Sequence, residues 1–173
     1  MPISGFILRC CSSTRTAEPG YEVYAPVTLA NGKFGITLSE KALMENMVRL
    51  NGVFDIFPDK MVESSIGAID FTNLELIVME PEAAKTEQAD FIKGKALSKA
   101  SLKNLKNWKQ EFNFREGWFK TNYTFEGLNI EHTVFALKQM LHTGIIKMTI
   151  VAEEDKFFSL KNILKVEYHY HYN

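Results

Sequence analysis

The chain is poor in the features that mark several large classes of protein. Its only two cysteines, Cys10 and Cys11, are adjacent, so no spaced thiols are present for a disulfide framework or a zinc site. The formal net charge is −1, which leaves no global field to attract nucleic acid or an anionic membrane. No run reaches the roughly 18 apolar residues that span a bilayer. We therefore expect no metal, no cofactor, no nucleic-acid partner and no membrane span.

Aromatic and apolar side chains are plentiful instead. The 173 residues include 13 Phe, 6 Tyr and 2 Trp but only 5 Pro, and 46% of them are hydrophobic. A chain of this length suits one domain, and abundant aromatic residues favour sheet surfaces. We predict a leader-like or disordered segment over residues 1–20, followed by one domain over residues 21–173. The pattern leaves open whether the C-terminal edge of that domain is complete.

The clearest pattern runs from Leu105 to Val151. Apolar and polar residues alternate with a period of two, as expected of half-buried strands. Gly117, Gly127 and Gly144 interrupt the alternation at positions where a turn needs a permissive backbone. Four strands joined by short turns predict an antiparallel meander. The residues expected on one face of these strands are Trp108, Phe112, Phe114, Phe119, Thr121, Tyr123, Phe125, Ile130, His132, Val134, Ala136, Ile146, Met148 and Ile150.

The first half of the chain carries weaker signals of the same kind. Apolar residues alternate within Ile69–Glu80, and an Asn31-Gly32 pair within Val27–Leu38 is a strong hairpin signal. Ser39–Leu50 fits either a capped helix or an extended segment, and Pro81–Lys103 reads as a long polar connection. Together these patterns predict an all-β fold, an antiparallel sandwich of two packed sheets.

Three segments, taken in order, resemble a known enzyme family. They are Leu29–Gly35 (LANGKFG), Leu50–Asp55 (LNGVFD) and Phe112–Phe125 (FNFREGWFKTNYTF), and the third continues into Ile130–Ala136 (IEHTVFA). Their sequence and spacing over Val23–Val151 are similar to the N-terminal domain of glycoside hydrolase family 65, which includes maltose, trehalose and kojibiose phosphorylases. The fucosidase-like family 95 has a similar opening motif and stays an alternative.

The resemblance implies a β-sandwich of the galactose-mutarotase-like (supersandwich) type, which in such enzymes precedes a catalytic (α/α)6 barrel. Inverting cleavage needs an acid opposite a base-activated water or a phosphate, and no segment here can be assigned that role. We therefore expect no catalytic residue and no activity in the chain alone. The implied partners are a disaccharide or oligosaccharide bound by the parent enzyme, the barrel domain and a second subunit in a homodimer. The implied location is a bacterial cytoplasm or periplasm.

The resemblance also points to residues that would shape the rim of the substrate site. They lie at two Asn-Gly pairs, which are expected at the ends of strands. Loops at such ends of a rigid sheet are where binding residues concentrate. The alternative is that each pair merely makes a tight turn. If the rim is shared, Asn31 and Asn51 should lie at one edge of the sandwich. The full set of candidates is Asn31, Gly32, Asn51, Gly52, Phe54 and Asp55.

Two other functions stay open at this point. A free-standing carbohydrate-binding module would stack sugar rings on exposed aromatic residues such as Trp108 or Trp118, and a structural domain would mediate oligomer contacts. His132 is expected to be a hydrogen-bonded histidine of the core. His169 and His171 share one face of an extended segment but have no third metal ligand nearby.

Overall fold

A computed structural model describes most of the chain as β-structure. The described residues are 13–15, 27–40, 43, 46–57, 62–79, 94–100, 104–113 and 115–164. They form twelve strands and one 3₁₀ turn at Leu97–Lys99. The strands are β1 (Ser13–Arg15), β2 (Val27–Ala30), β3 (Phe34–Leu38), β4 (Met47–Phe57), β5 (Val62–Gly67), β6 (Leu74–Met79), β7 (Gly94–Ala96), β8 (Lys106–Asn113), β9 (Trp118–Phe125), β10 (Leu128–Ala136), β11 (Gly144–Ala152) and β12 (Phe157–Asn162).

One layer of the molecule is a five-stranded antiparallel sheet with the order β1-β8-β9-β10-β11. Its last four strands are the meander expected from the sequence, and this prediction is confirmed. The inward residues of β9 alternate strictly with half-buried ones, as the pattern of period two requires. Gly117 and Gly127 both have positive φ, at 70° and 80°, so the turns depend on the glycine backbone.

The second layer is divided into two smaller sheets. A four-stranded sheet has the order β2-β3-β4-β5, and a three-stranded sheet has the order β12-β6-β7. Each packs on its own part of the five-stranded sheet and so forms its own hydrophobic cluster. The first cluster joins β6 to β9 and β10 and contains Leu43, Leu74, Leu76, Val78, Leu97, Leu105, Tyr123, Phe125, Leu128 and Ile130. The second joins β2, β3 and β4 to β8, β9 and β10 and contains Leu29, Phe34, Ile36, Leu38, Val48, Phe112, Phe119, Val134 and Ala136.

This architecture confirms the expected all-β antiparallel sandwich. It also decides the end of the ambiguous segment Ser39–Leu50, because Met47–Leu50 are extended in β4, whereas residues 41, 42, 44 and 45 lie outside the described residues. The sheet prevails there because β3 pairs with these residues from Phe34↔Leu50 to Thr37↔Met47.

The segment Pro81–Lys103 is not wholly a polar connection, and in this respect the prediction was wrong. Gly94–Ala96 forms β7, which pairs with β6 through Val78↔Lys95. A side-chain carbon added at Gly94 would overlap the carbonyl oxygen of Val78, so glycine allows the close approach of the two strands. The short polar strand escaped notice because it has too few apolar residues to show alternation.

Within the expected leader-like segment 1–20, the structure describes only Ser13–Arg15, whose backbone pairs with β8. The other residues of that segment lie outside the described residues, as do Phe114, His169 and His171.

Candidate functional site

Asn31 holds two separate parts of the chain together. Its side-chain oxygen accepts hydrogen bonds from the backbone N–H groups of Lys33 (3.0 Å) and Phe34 (3.2 Å). Its amide nitrogen donates to the carbonyl oxygens of Leu137 and Leu141, both at 3.0 Å. A carboxamide offers two donors and one oxygen with two lone pairs, so all of its hydrogen-bonding capacity is used within the chain. Asn31 therefore positions loops and has no free group for a ligand.

Asn51 contacts the same turn from a neighbouring strand. Its backbone N–H donates to the carbonyl of Lys33 at 2.8 Å, and its side-chain amide donates to the carbonyl of Gly32, also at 2.8 Å. The structure thus brings the two Asn-Gly pairs together at one edge of the sandwich, as expected for a shared rim. Whether this rim faces a substrate stays a prediction.

The expectation that Asn51-Gly52 lies at the end of a strand was wrong. The pair lies inside β4, where the register with β5 shifts between Arg49 and Phe54. Gly52 has a φ of 79°, as glycine does at many bulges. The Asn51-Gly52 sequence fits a bulge as well as a turn, because both structures need positive φ at the glycine.

A third loop completes this edge and was not predicted. Residues Leu137–Thr143 connect β10 to β11, and their carbonyl groups receive the side chain of Asn31. The loop is also braced internally, since Thr143 donates to the carbonyl of Met140 at 2.9 Å. We call the Gly32-Lys33 turn, the bulged part of β4 from Asn51 to Phe54 and this loop the loop rim.

The loop rim presents apolar side chains to solvent. Phe54 and Met140 are each 58% exposed, and Val53 and Leu141 are exposed as well. The sequence signal that could have revealed the third loop is the Met140-Leu141 pair beside a predicted chain break. The backbone of Asp55 pairs with Ser64, and its side chain lies outside the described set.

A buried polar belt crosses the core between the two hydrophobic clusters. On one side, the amide of Gln110 donates to the hydroxyl of Thr121 at 3.4 Å and to the carbonyl of Ser39 at 3.3 Å. On the other side, Asn46 accepts from the Ser39 N–H at 2.8 Å and donates to Thr72 at 2.6 Å. The belt consists of Ser39, Asn46, Asp70, Thr72, Gln110, Thr121 and, beside Thr121 on β10, His132.

His132 lies in this belt, and one of its two ring nitrogens lacks the hydrogen bond expected for a core histidine. Its Nδ1 atom is buried and has no hydrogen-bond partner, and the ring meets Tyr123 edge-on at 6.1 Å. The phenolic oxygen of Tyr123 is also buried and unpartnered. Burial lowers the pKa of His132 to about 4 and raises that of Tyr123 above its ordinary value, so both are neutral near pH 7. Among the described residues no group is hydrogen-bonded to Nδ1 of His132, as the orienting partner of a general base would be.

The two tryptophans have different environments. Trp108 is half-buried against the first cluster, with its ring nitrogen buried and unpartnered, so it offers no platform for a sugar. Trp118 lies on the outer face of β9, where its ring nitrogen donates to Glu116 at 2.6 Å. The amino group of Lys120 lies 5.5 Å from the centre of the Trp118 ring and 3.1 Å from Glu131. Only Trp118 could serve the carbohydrate-binding alternative.

Neither a metal centre nor a membrane-crossing helix is found in the part of the chain that the structure describes. No three His, Cys, Asp or Glu side chains are grouped there as metal ligands would be. Nor do the described residues include a helix with the length and hydropathy to cross a membrane.

The comparison with known proteins gives one clear similarity. The chain is 26% identical over 149 residues to the kojibiose hydrolase of Flavobacterium johnsoniae. The alignment covers 86% of this chain and 19% of the hydrolase, so the chain spans about a fifth of the length of this curated relative. No protein-family model matches the chain. The chain is thus related in sequence to part of a glycoside hydrolase.

Proposed function

We propose that this chain is an accessory domain of a carbohydrate-active enzyme, of the kind found at the N-terminus of family 65 hydrolases and phosphorylases. The observation that carries the proposal is the similarity of 86% of this chain to one fifth of a kojibiose hydrolase. A match of domain size within a much longer enzyme is typical of one module of that enzyme. The sandwich would be galactose-mutarotase-like, and catalysis would belong to a separate (α/α)6 barrel.

The loop rim is the surface that would meet the barrel. Phe54 and Met140 are apolar and exposed, while the polar groups of Asn31 are occupied within the chain. Such a surface favours contact with protein over direct hydrogen bonding to sugar hydroxyls. The rim therefore shapes the substrate site indirectly, by placing loops at its border. A homodimer contact, expected from the family resemblance, stays a prediction.

A second candidate function rests on Trp118. An indole ring held by Glu116 beside Lys120 and Glu131 combines an aromatic face with polar groups, and this is the usual composition of a site that orients a polar ligand. As a free-standing binding module, the chain would bind disaccharides on the outer face of the five-stranded sheet without any partner domain.

The proposal predicts that the pure chain neither hydrolyses nor phosphorolyses kojibiose, maltose or trehalose. Release of glucose, or of glucose 1-phosphate with inorganic phosphate present, would overturn the accessory role. Titration of the same sugars by calorimetry separates the two candidates. Heat of binding that Trp118→Ala abolishes would replace the accessory role with the binding module.

A positive test uses the relative. The chain is co-expressed with the Flavobacterium johnsoniae kojibiose hydrolase from which the matched residues have been deleted, and kojibiose hydrolysis is assayed. We expect the pair to hydrolyse kojibiose and Phe54→Ser or Met140→Ser to lower that activity. Thr149→Ser, an exposed change away from the rim, is the matched control. Equal activity of the rim variants and the control would remove the rim from the proposal.

A further inference from the structure

One side of the sandwich is open where both layers end. The five-stranded sheet ends at β11, and the three-stranded sheet ends at β12 among the described strands. Only residues 153–156 link Ala152 to Phe157, so the two edge strands lie on the same side of the molecule. Both border the first hydrophobic cluster.

Side chains that face the core are accessible to solvent along this side. In β12, Phe158 pairs with Val78 and Leu160 pairs with Leu76, so both share the inward face of β6. Nevertheless Phe158 is 40% exposed and Leu160 is 43% exposed. We call this surface the open seam. It consists of Phe158 and Leu160 together with the half-buried Ile146, Met148 and Ile150 of β11.

The backbone of β12 offers hydrogen bonds on the same side. The N–H of Ile163 donates to the carbonyl of Asn73 at 2.9 Å, toward β6. Because N–H groups point to alternate sides along an extended chain, those of Phe158, Leu160 and Asn162 point away from β6. These N–H groups have no backbone partner among the described strands. An edge of this kind above an uncovered apolar face is a template for another strand.

We propose that β12 is paired, in the functional protein, with a further β-strand from the same enzyme. This inference rests on the proposed function, because the relative has four fifths of its length outside the match. Only an extended chain provides alternating carbonyl and N–H groups at the spacing of this edge. The added strand carries apolar residues at every second position, and these cover the open seam and close the first cluster.

A charged residue of β12 limits which side chains the added strand can carry. On the outer face of β12, Lys161 pairs with Glu75 of β6 on one side and is exposed. Like charges directly opposite each other in a sheet are unfavourable. The incoming strand therefore has an acidic or neutral residue opposite Lys161 and alternates it with the apolar residues that enter the seam.

The test follows hydrogen exchange in the co-expressed pair described above. We expect the amides of Phe158, Leu160 and Asn162 to exchange rapidly in the chain alone and slowly in the complex. Asn162→Pro removes one outward N–H where an edge strand tolerates proline, and it should weaken the complex by roughly tenfold. Asn162→Ala, the matched control, should not. Equal binding by the two variants, or a complex with β12 unprotected, would overturn the proposal.

A second measurement needs only the intact hydrolase of Flavobacterium johnsoniae. In its strand equivalent to β12, both alternating sets of amides should exchange slowly, and fast exchange of one set would also overturn the proposal. Sedimentation of this chain alone tests whether a second copy of the chain covers the open seam. A dimer that Phe158→Glu dissociates would assign the seam to a second copy instead.

The two proposals can fail separately. Kojibiose hydrolysis by the pair without protection of β12 would contradict the added strand and leave the accessory role standing. Protection of β12 without any hydrolysis would support the added strand and contradict the accessory role.

Discussion

Strands β9 and β11 belong to the same sheet and carry the same alternation, but they are buried to different extents. In β9 the inward residues Phe119 and Tyr123 are almost fully covered, whereas in β11 the inward residues Ile146 and Met148 are only half-buried. The difference lies in the facing layer, which extends over β9 and stops short of β11. Alternation therefore determines which face a residue occupies, and the reach of the opposite layer determines how far it is buried.

The largest expected difference in stability is between variants of two leucines that are direct cross-strand partners. Leu76 is 0% exposed and Leu160 is 43% exposed, although both point toward the same cluster. Leu76→Ala should lower the free energy of unfolding by about 2–5 kcal/mol, because a cavity remains in a closed core. Leu160→Ala should cost less than about 1 kcal/mol, because the truncated side chain was already partly in water. Urea unfolding of the two variants measures both values.

The same pair sharpens the comparison when the partner is present. In the co-expressed complex, the cost of Leu160→Ala should rise toward that of Leu76→Ala, because the added strand would cover Leu160. If Leu160→Ala already costs as much as Leu76→Ala in the chain alone, the open seam does not exist in solution.

A smaller effect is expected at the buried polar belt, which lies between the two hydrophobic clusters. Burial lowers the pKa of His132 from 6.5 to about 4, so the unfolded chain binds a proton at a pH where the folded chain does not. Stability is therefore at its full value above about pH 6.5 and falls as the pH decreases toward 4. The expected slope in that window is about 1.4 kcal/mol per pH unit from this residue.

His132→Gln provides the control, because glutamine is polar and does not titrate. Unfolding free energies of both proteins should be measured by urea titration between pH 7 and 4.5. The difference between them should change with pH by the expected slope. A constant difference would mean that His132 is solvated or hydrogen-bonded in the folded protein.

Much of the fold follows from local patterns in the sequence. The meander is predicted because Phe119–Phe125 alternates regularly and because Gly117 and Gly127 mark its turns. The hairpin at Asn31-Gly32 is predicted for the same reason. In these segments the side-chain period and the turn chemistry indicate the same structure, so no distant contact is needed to decide between alternatives.

The rest depends on contacts between residues far apart in the chain. The division of the second layer follows a polar belt in which Gln110 reaches Ser39, 71 residues away. The role of the loop at Leu137–Thr143 depends on Asn31, more than 100 residues earlier. The Asn51-Gly52 bulge was mistaken for a strand end because both structures need positive φ at the glycine. No local period reports such pairings, so the candidate site could be predicted only in part.

The smallest expected effects concern the two asparagines of the loop rim, whose replacement should lower the stability by different amounts. The Asn31 side chain makes four hydrogen bonds that join the β2–β3 turn to the loop before β11, whereas the Asn51 side chain makes one, to Gly32. Removing Asn31 leaves several backbone groups to find other partners, and each net hydrogen bond is worth about 1 kcal/mol where it is shielded from water. Because part of this network is exposed, we expect Asn31→Ala to cost about 2 kcal/mol and Asn51→Ala about 0.5 kcal/mol.

Asn31→Asp separates the tethering of the third loop from the formation of the turn, since a carboxylate keeps the two acceptor contacts and loses the two donor contacts. Its second oxygen would face the carbonyl oxygens of Leu137 and Leu141, so it should be at least as destabilising as Asn31→Ala in thermal unfolding, with faster hydrogen exchange confined to Leu137–Thr143. If Asn31→Asp is as stable as wild type, the bonds to Leu137 and Leu141 do not hold the third loop, and the loop rim reduces to the turn and the bulge.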